Sequence, residues 1–154
     1  MLNLTEQVRG GTFCLSKAGL AEGTNANTIQ IAAPNGAGID FAIAGKLYHK
    51  ADTDNIAMTA LTIQPALYTC LYLVQINVDG TVSMVKGTQI LTADVGREPL
   101  NYPELTAANC PVGVIRIATA SGYTFTSGTT DLSATGITAT YEDVFAVPDA
   151  PKVA

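Results

Sequence analysis

The sequence contains no tryptophan and a single histidine, and charged residues make up only 14 % of its 154 positions. Ordinary soluble domains carry about 25 %. The eight Lys and Arg residues are scattered singly in a chain of net charge −5. A phosphate backbone demands a basic stripe, so nucleic-acid binding is excluded. The three cysteines, Cys14, Cys70 and Cys110, include no close pair of the kind a zinc site needs. They read as buried, reduced thiols of a protein made in the cytoplasm. Met1 to Glu6 has neither a basic start nor an apolar run, so no secretion signal is expected. The uncharged stretch Ile56 to Val78 is interrupted by Gln64-Pro65, Gln75 and Asn77. Its second half alternates like a strand, and a membrane span is rejected.

Catalytic patterns are equally scarce. Gly36-Ala37-Gly38 is followed by Phe41 where a dinucleotide fingerprint needs its third glycine. Gly45-Lys46 lacks the upstream glycine and following hydroxyl of a phosphate loop, and no G-x-S-x-G occurs. His49, Asp52 and Asp54 are close enough in sequence for a metal site, but the calcium-loop spacing fails. They read as a solvated surface turn. A cysteine nucleophile paired with His49 is disfavoured, because a Cys on an apolar strand such as Thr69 to Tyr72 is ordinary core. Glu142 and Asp143 are adjacent, and adjacent strand residues point to opposite faces. Asn3-Leu4-Thr5 matches a glycosylation sequon, which means nothing without secretion. No catalytic residue, cofactor or metal ligand is assigned, and the expectation is a protein that is not an enzyme.

What is present is apolar aliphatic sequence punctuated by Thr and Gly, which suits strands and tight turns. A weakly charged surface also leaves area for another protein to cover. Strands are expected at Thr12 to Ser16, Thr28 to Ala33, Ile39 to Tyr48, Met58 to Ile63 and Thr69 to Val78. Period-2 alternation marks others at Tyr123 to Phe125 and Ile137 to Tyr141. Pro34-Asn35-Gly36 is a turn signal. Lys17 to Asn27 reads as a loop, Leu91 to Tyr102 as irregular, and Pro103 to Asn109 as one or two helical turns. Around Asp79-Gly80, a two-residue loop would pair Ile76 with Ser83 and mix the faces. A three-residue loop, Val78-Asp79-Gly80, pairs Ile76 with Val82 and Val74 with Met84, and keeps one face apolar. The longer loop is expected, with Gly80 in the left-handed position.

This pattern predicts an all-β, single-domain β-sandwich or jelly-roll-like barrel over residues 12–148 with an extended N-terminal arm. The arm, residues 1–11, carries Leu2, Leu4 and Val8 and ends at Gly10-Gly11; residues 149–154 form a C-terminal tail. An apolar segment too short for its own core either folds back or docks on a partner. The double-glycine joint favours docking. Arg116 interrupts Val114-Ile115 and Ile117, and is either a solvated charge or a subunit-crossing contact.

One stretch resembles a known class. Pro111-Val112-Gly113-Val114-Ile115-Arg116-Ile117-Ala118-Thr119, then Phe125 to Leu132, then Gly136 to Tyr141, is similar to the C-terminal half of small virion structural proteins of tailed bacteriophages. These are capsid decoration or cement proteins and related head-fibre-like proteins. The resemblance spans roughly residues 68 to 148 and rests on pattern, not on a diagnostic motif. It implies a homotrimer that binds the major capsid protein on the outer capsid surface, where capsid subunits meet, and stabilises the shell. No membrane or nucleic acid takes part. Leu2, Leu4, Val8 and Arg9 are then the capsid-contact candidates, and Arg116 the subunit-contact candidate. The alternative is a head- or tail-fibre component that binds a host surface glycan through Tyr48, Tyr102 and Tyr123.

Overall fold

Among residues 11–152, which the computed structural model describes, eleven strands pair antiparallel into three sheets. In chain order they are β1 (Phe13–Cys14), β2 (Leu20–Glu22), β3 (Thr28–Ile31), β4 (Ile39–Ile43), β5 (Lys46–Lys50) and β6 (Thr53–Ala57). The second half supplies β7 (Tyr68–Asn77), β8 (Val82–Lys86), β9 (Ile90–Leu91), β10 (Asn109–Thr119) and β11 (Ile137–Asp143). The main sheet runs β11-β10-β7-β8, with β9 also on β7; the smaller sheets run β1-β4-β5 and β2-β3-β6. The architecture is the expected all-β sandwich, and no sheet closes into a barrel.

The main sheet separates two cores. Cys70, Tyr72, Val74 and Ile76 of β7 point one way with Ile115 and Ile117 of β10, toward Phe41, Ile29 and Ile31 of the smaller sheets. Leu71 and Leu73 point the other way with Val114, beneath Ile90, Leu100 and the segment that carries Val144 and Val147. Strand β7 is therefore buried on both faces, which is why its sequence is a near-continuous apolar run. Pro111 lies beside a register shift in β10, where its missing N–H costs no ladder bond.

Several departures from the expected elements have local causes. Ile39 to Tyr48 is not one strand. Ala44 (φ 51°) and Gly45 (φ 80°) both take left-handed backbone, and that two-residue turn folds the stretch into the β4–β5 hairpin. Ala44→Asn, which creates the preferred Asn-Gly turn, should stabilise the domain by about 0.5–1 kcal/mol in urea unfolding. Met58 to Ile63 forms no strand and lies along β8 through side chains: Thr59 Oγ1 accepts from Met84 N (2.9 Å), and Lys86 Nζ donates to the Thr62 and Ile63 carbonyls. Tyr123 to Phe125 contributes only a single bridge between Phe125 and Gln64. Lys17 to Asn27 contains β2. Pro103 to Asn109 forms no helical turn, because Thr106 N donates to the Gln75 side chain at 3.0 Å and holds the segment along the sheet. At the chain's far end, Lys152 N donates to Leu100 O (3.0 Å) and its ammonium pairs with Glu142.

The β7–β8 hairpin has the expected register: Ile76 pairs with Val82, Gln75 with Ser83 and Val74 with Met84. Asn77 N donates to Thr81 O (3.1 Å), Gly80 N donates to Asn77 O (3.1 Å), and Gly80 sits at φ 78°. A Cβ there would meet nothing within 4 Å, so the cost of a side chain is conformational alone. Gly80→Val should destabilise by about 1–2 kcal/mol, and Val78→Ala by much less. Equal effects in chemical denaturation would contradict the three-residue loop.

The thiols are core groups. Burial pushes Cys70 from 9.0 up to about 11, and burial with the neighbouring Cys14 pushes Cys110 up to about 12. Burial likewise raises the Tyr141 phenol to about 12. In each case the unfolded chain ionises before the folded one. Stability should therefore be flat from neutral pH to about pH 9 and fall as pH rises toward 12, as measured by urea midpoints across that range. Native-state labelling of Cys70 or Cys110 by a thiol reagent at pH 8, at the rate of a free cysteine, would contradict this burial.

Candidate interaction surface

Cross-strand register decides which side chains share a face. In the β1-β4-β5 sheet, Phe13 lies opposite Ala42, and Ala42 opposite Leu47; Asp40 lies opposite His49. The alternate rows are Cys14–Phe41–Tyr48 and, farther along, Ile43 and Ile39, which enter the core. Phe41 and Tyr48 stack there at 5.6 Å. The outer face thus presents Phe13 and Leu47 on either side of the buried Ala42, with Leu15 one step on and the Asp40–His49 pair (2.8 Å) at its side. Leu47 is 73 % exposed, Leu15 52 % and Phe13 39 %. Phe145, 71 % exposed, adjoins the same sheet, since its carbonyl accepts from Cys14 N at 2.8 Å.

Two shallow grooves flank Leu15. One, of about 320 Å³, runs between Cys14–Lys17 and Asp143–Phe145. The other, of about 360 Å³, lies between Leu15, Leu47 and the Asp40–His49 pair. Large apolar side chains gathered on one face, with a rim of Lys17, Asp40, His49 and Asp143, have the composition of a protein-binding patch. Nothing in it is a nucleophile beside a base. The Cys14 thiol is held above its ordinary value by burial.

The residues singled out from the sequence are spread across the fold. His49 is committed to Asp40. Asp52 accepts from Ala33 N (2.8 Å), and Asp54 accepts from Thr24 and Asn55, bonds that hold its carboxyl below the usual range. These carboxylates fasten loops, and among the described residues no three His, Cys, Asp or Glu side chains gather in a metal-binding group. Glu142 and Asp143 point to opposite faces: Glu142 pairs with Lys152, while Asp143 accepts from Leu20 N (3.1 Å). Arg116 is half-buried in the row Leu71–Arg116–Thr140, on the face opposite the larger core, and makes no ion pair among the described residues. Tyr48 packs against the larger core and Tyr102 against the smaller, on opposite sides of the main sheet, so no common sugar platform includes both. Leu2, Leu4, Val8 and Arg9 lie outside the described residues. The described chain begins at Gly11, whose carbonyl accepts from Gly45 N (3.0 Å) at the β4–β5 turn.

The apolar outer face went unread because one continuous strand from Ile39 would place Leu47 on the same side as Ile39, Phe41 and Ile43, in the core. The Ala44-Gly45 turn reverses that parity. The available signal was Gly45 followed by Lys46. No protein-family model, curated protein or solved structure matches this chain.

Proposed function

We propose that the protein is a non-enzymatic virion structural protein of a tailed phage, a capsid decoration or cement protein that binds the outer shell as a homotrimer and reinforces it. The observation that carries this reading is the apolar outer face of β1-β4-β5, beside the point where the N-terminal arm joins the domain. Face and arm together make one composite attachment surface for the major capsid protein. Leu2, Leu4, Val8 and Arg9 supply the arm's side chains, and Phe13, Leu15, Leu47 and Phe145 supply the domain's. Threefold attachment multiplies contacts that are individually weak. Arg116, half-buried and without an ionic partner among the described residues, is the group a neighbouring subunit's carboxylate would complete.

Two measurements test it. Light scattering on the purified protein should give about three times the 16.0 kDa chain mass; a monodisperse monomer at micromolar concentration would contradict the trimer. Undecorated shells of the encoding phage should pull the protein down in sedimentation, saturably. Protein that stays in the supernatant would refute the reading, and glycan-array binding in its place would favour the fibre alternative.

A further inference from the structure

The edge of β5 holds two residues whose backbone groups meet nothing in the described structure. The two-residue turn makes Ile43 and Lys46 a hydrogen-bonded pair, so bonding continues at Phe41–Tyr48 and Ile39–Lys50. Asp40 and Ala42 therefore turn away from β5; consistently, Asp40 O accepts from Leu15 N on the β1 side (2.8 Å). By the same alternation the N–H and C=O of Leu47 and His49 point outward. Other edges are closed or bent. Phe145 O occupies β1, Thr59 caps β8, and Asn55 (φ 54°) breaks the line of β6. The main sheet's edge strand β11 carries Thr138 and Thr140 on its exposed face, and no large apolar group stands there.

Building on the decoration reading above, we propose that β5 accepts an extended strand of the capsid partner, adding a fourth strand to β1-β4-β5. That strand carries an apolar residue opposite Leu47 and acidic residues opposite Lys46 and Lys50. Charge selects this occupant. Two of the chain's eight cations flank Leu47 on a five-residue strand, in a protein of net charge −5. A second copy's β5 is disfavoured, since antiparallel pairing centred on Tyr48 sets Lys46 against Lys50 twice. Residues 1–10 lie outside the described structure, and an arm seated on β5 would show as Leu47 and His49 amides already protected in the free protein. The apolar outer face then continues onto the added strand, and the backbone bonds of Leu47 and His49 fix its register.

The test uses the full-length protein and a synthetic peptide, Thr-Glu-Val-Thr-Val-Glu-Thr, followed by amide NMR and hydrogen exchange. The peptide should shift the Leu47 and His49 amides and slow their exchange about tenfold at saturation. A peptide with Lys in place of Glu should not bind, and the K46E/K50E double variant should reverse that preference. Three results would overturn the proposal: Leu47 and His49 amides already protected in the free protein, equal binding of both peptides, or no perturbation of β5 at millimolar peptide. Shells that still bind the protein under any of these results would leave the decoration reading standing and remove strand addition alone.

Discussion

Leu47→Asp will leave the domain folded and weaken attachment to undecorated shells about 100-fold or more. Leu47 is 73 % exposed in the free protein, so its removal withdraws little from the core. On a covered face the same side chain contributes about 1.5–3 kcal/mol, and a carboxylate in its place must be desolvated without a partner. At about 1.4 kcal/mol per factor of ten, the loss at one subunit reaches two decades, and the proposed threefold attachment would compound it. Thermal unfolding checks the fold, and a shell-binding titration checks the effect. Ile63→Asp is the control, since Ile63 is 60 % exposed but lies beside β8, away from this face. Equal weakening by both variants would mean that added negative charge, not the outer face, is responsible.

The largest expected stability effect is at Gln64. This fully buried amide donates from Nε2 to Tyr68 O (2.8 Å) and Ile117 O (3.0 Å), and its Oε1 accepts from the Tyr72 hydroxyl (3.0 Å). Its backbone exchanges both bonds with Phe125 (2.9 and 3.0 Å), whose ring meets Tyr72 edge-on at 5.8 Å. Gln64 thus ties the segment before β7 and the loop after β10 to the centre of the main sheet. Gln64→Leu keeps the volume but leaves the buried Tyr72 hydroxyl without its acceptor and takes a donor from Ile117 O and from Tyr68 O, which keeps the Thr119 hydroxyl (3.1 Å). An unsatisfied buried polar group costs about 1–3 kcal/mol, so a loss of about 2–4 kcal/mol is expected, a large share of a typical 5–15 kcal/mol. Adding Tyr72→Phe removes one stranded hydroxyl and should recover part of the loss in urea unfolding. A double variant no more stable than the single one would contradict the network.

Sequence pattern reached those features that local chemistry dictates. Register at Asp79-Gly80 followed from matching Ile76 to Val82, because a slip would send apolar side chains to the polar face. The turn at Pro34 to Gly36 was legible in the same way, and Gly36 N donates to Ala33 O there (2.8 Å). What escaped depended on distant partners or on one hidden reversal. Gln64 looked like a strand breaker beside Pro65, and its role exists only once Tyr72, Ile117 and Phe125 are assembled around it. Met58 to Ile63 has strand composition, yet Thr59 and Lys86 join it to β8 through side chains. Leu47 changed faces because Ala44 takes a backbone conformation that alanine rarely adopts, and so the outer apolar face had no trace in the alternation.

A reconstruction of the decorated shell should show density for a trimer whose β1-β4-β5 sheets turn toward the shell, with Phe13, Leu15 and Leu47 covered by capsid protein and residues 1–10 ordered against it. A trimer seated with that sheet facing solvent, and Leu47 uncovered, would contradict this attachment.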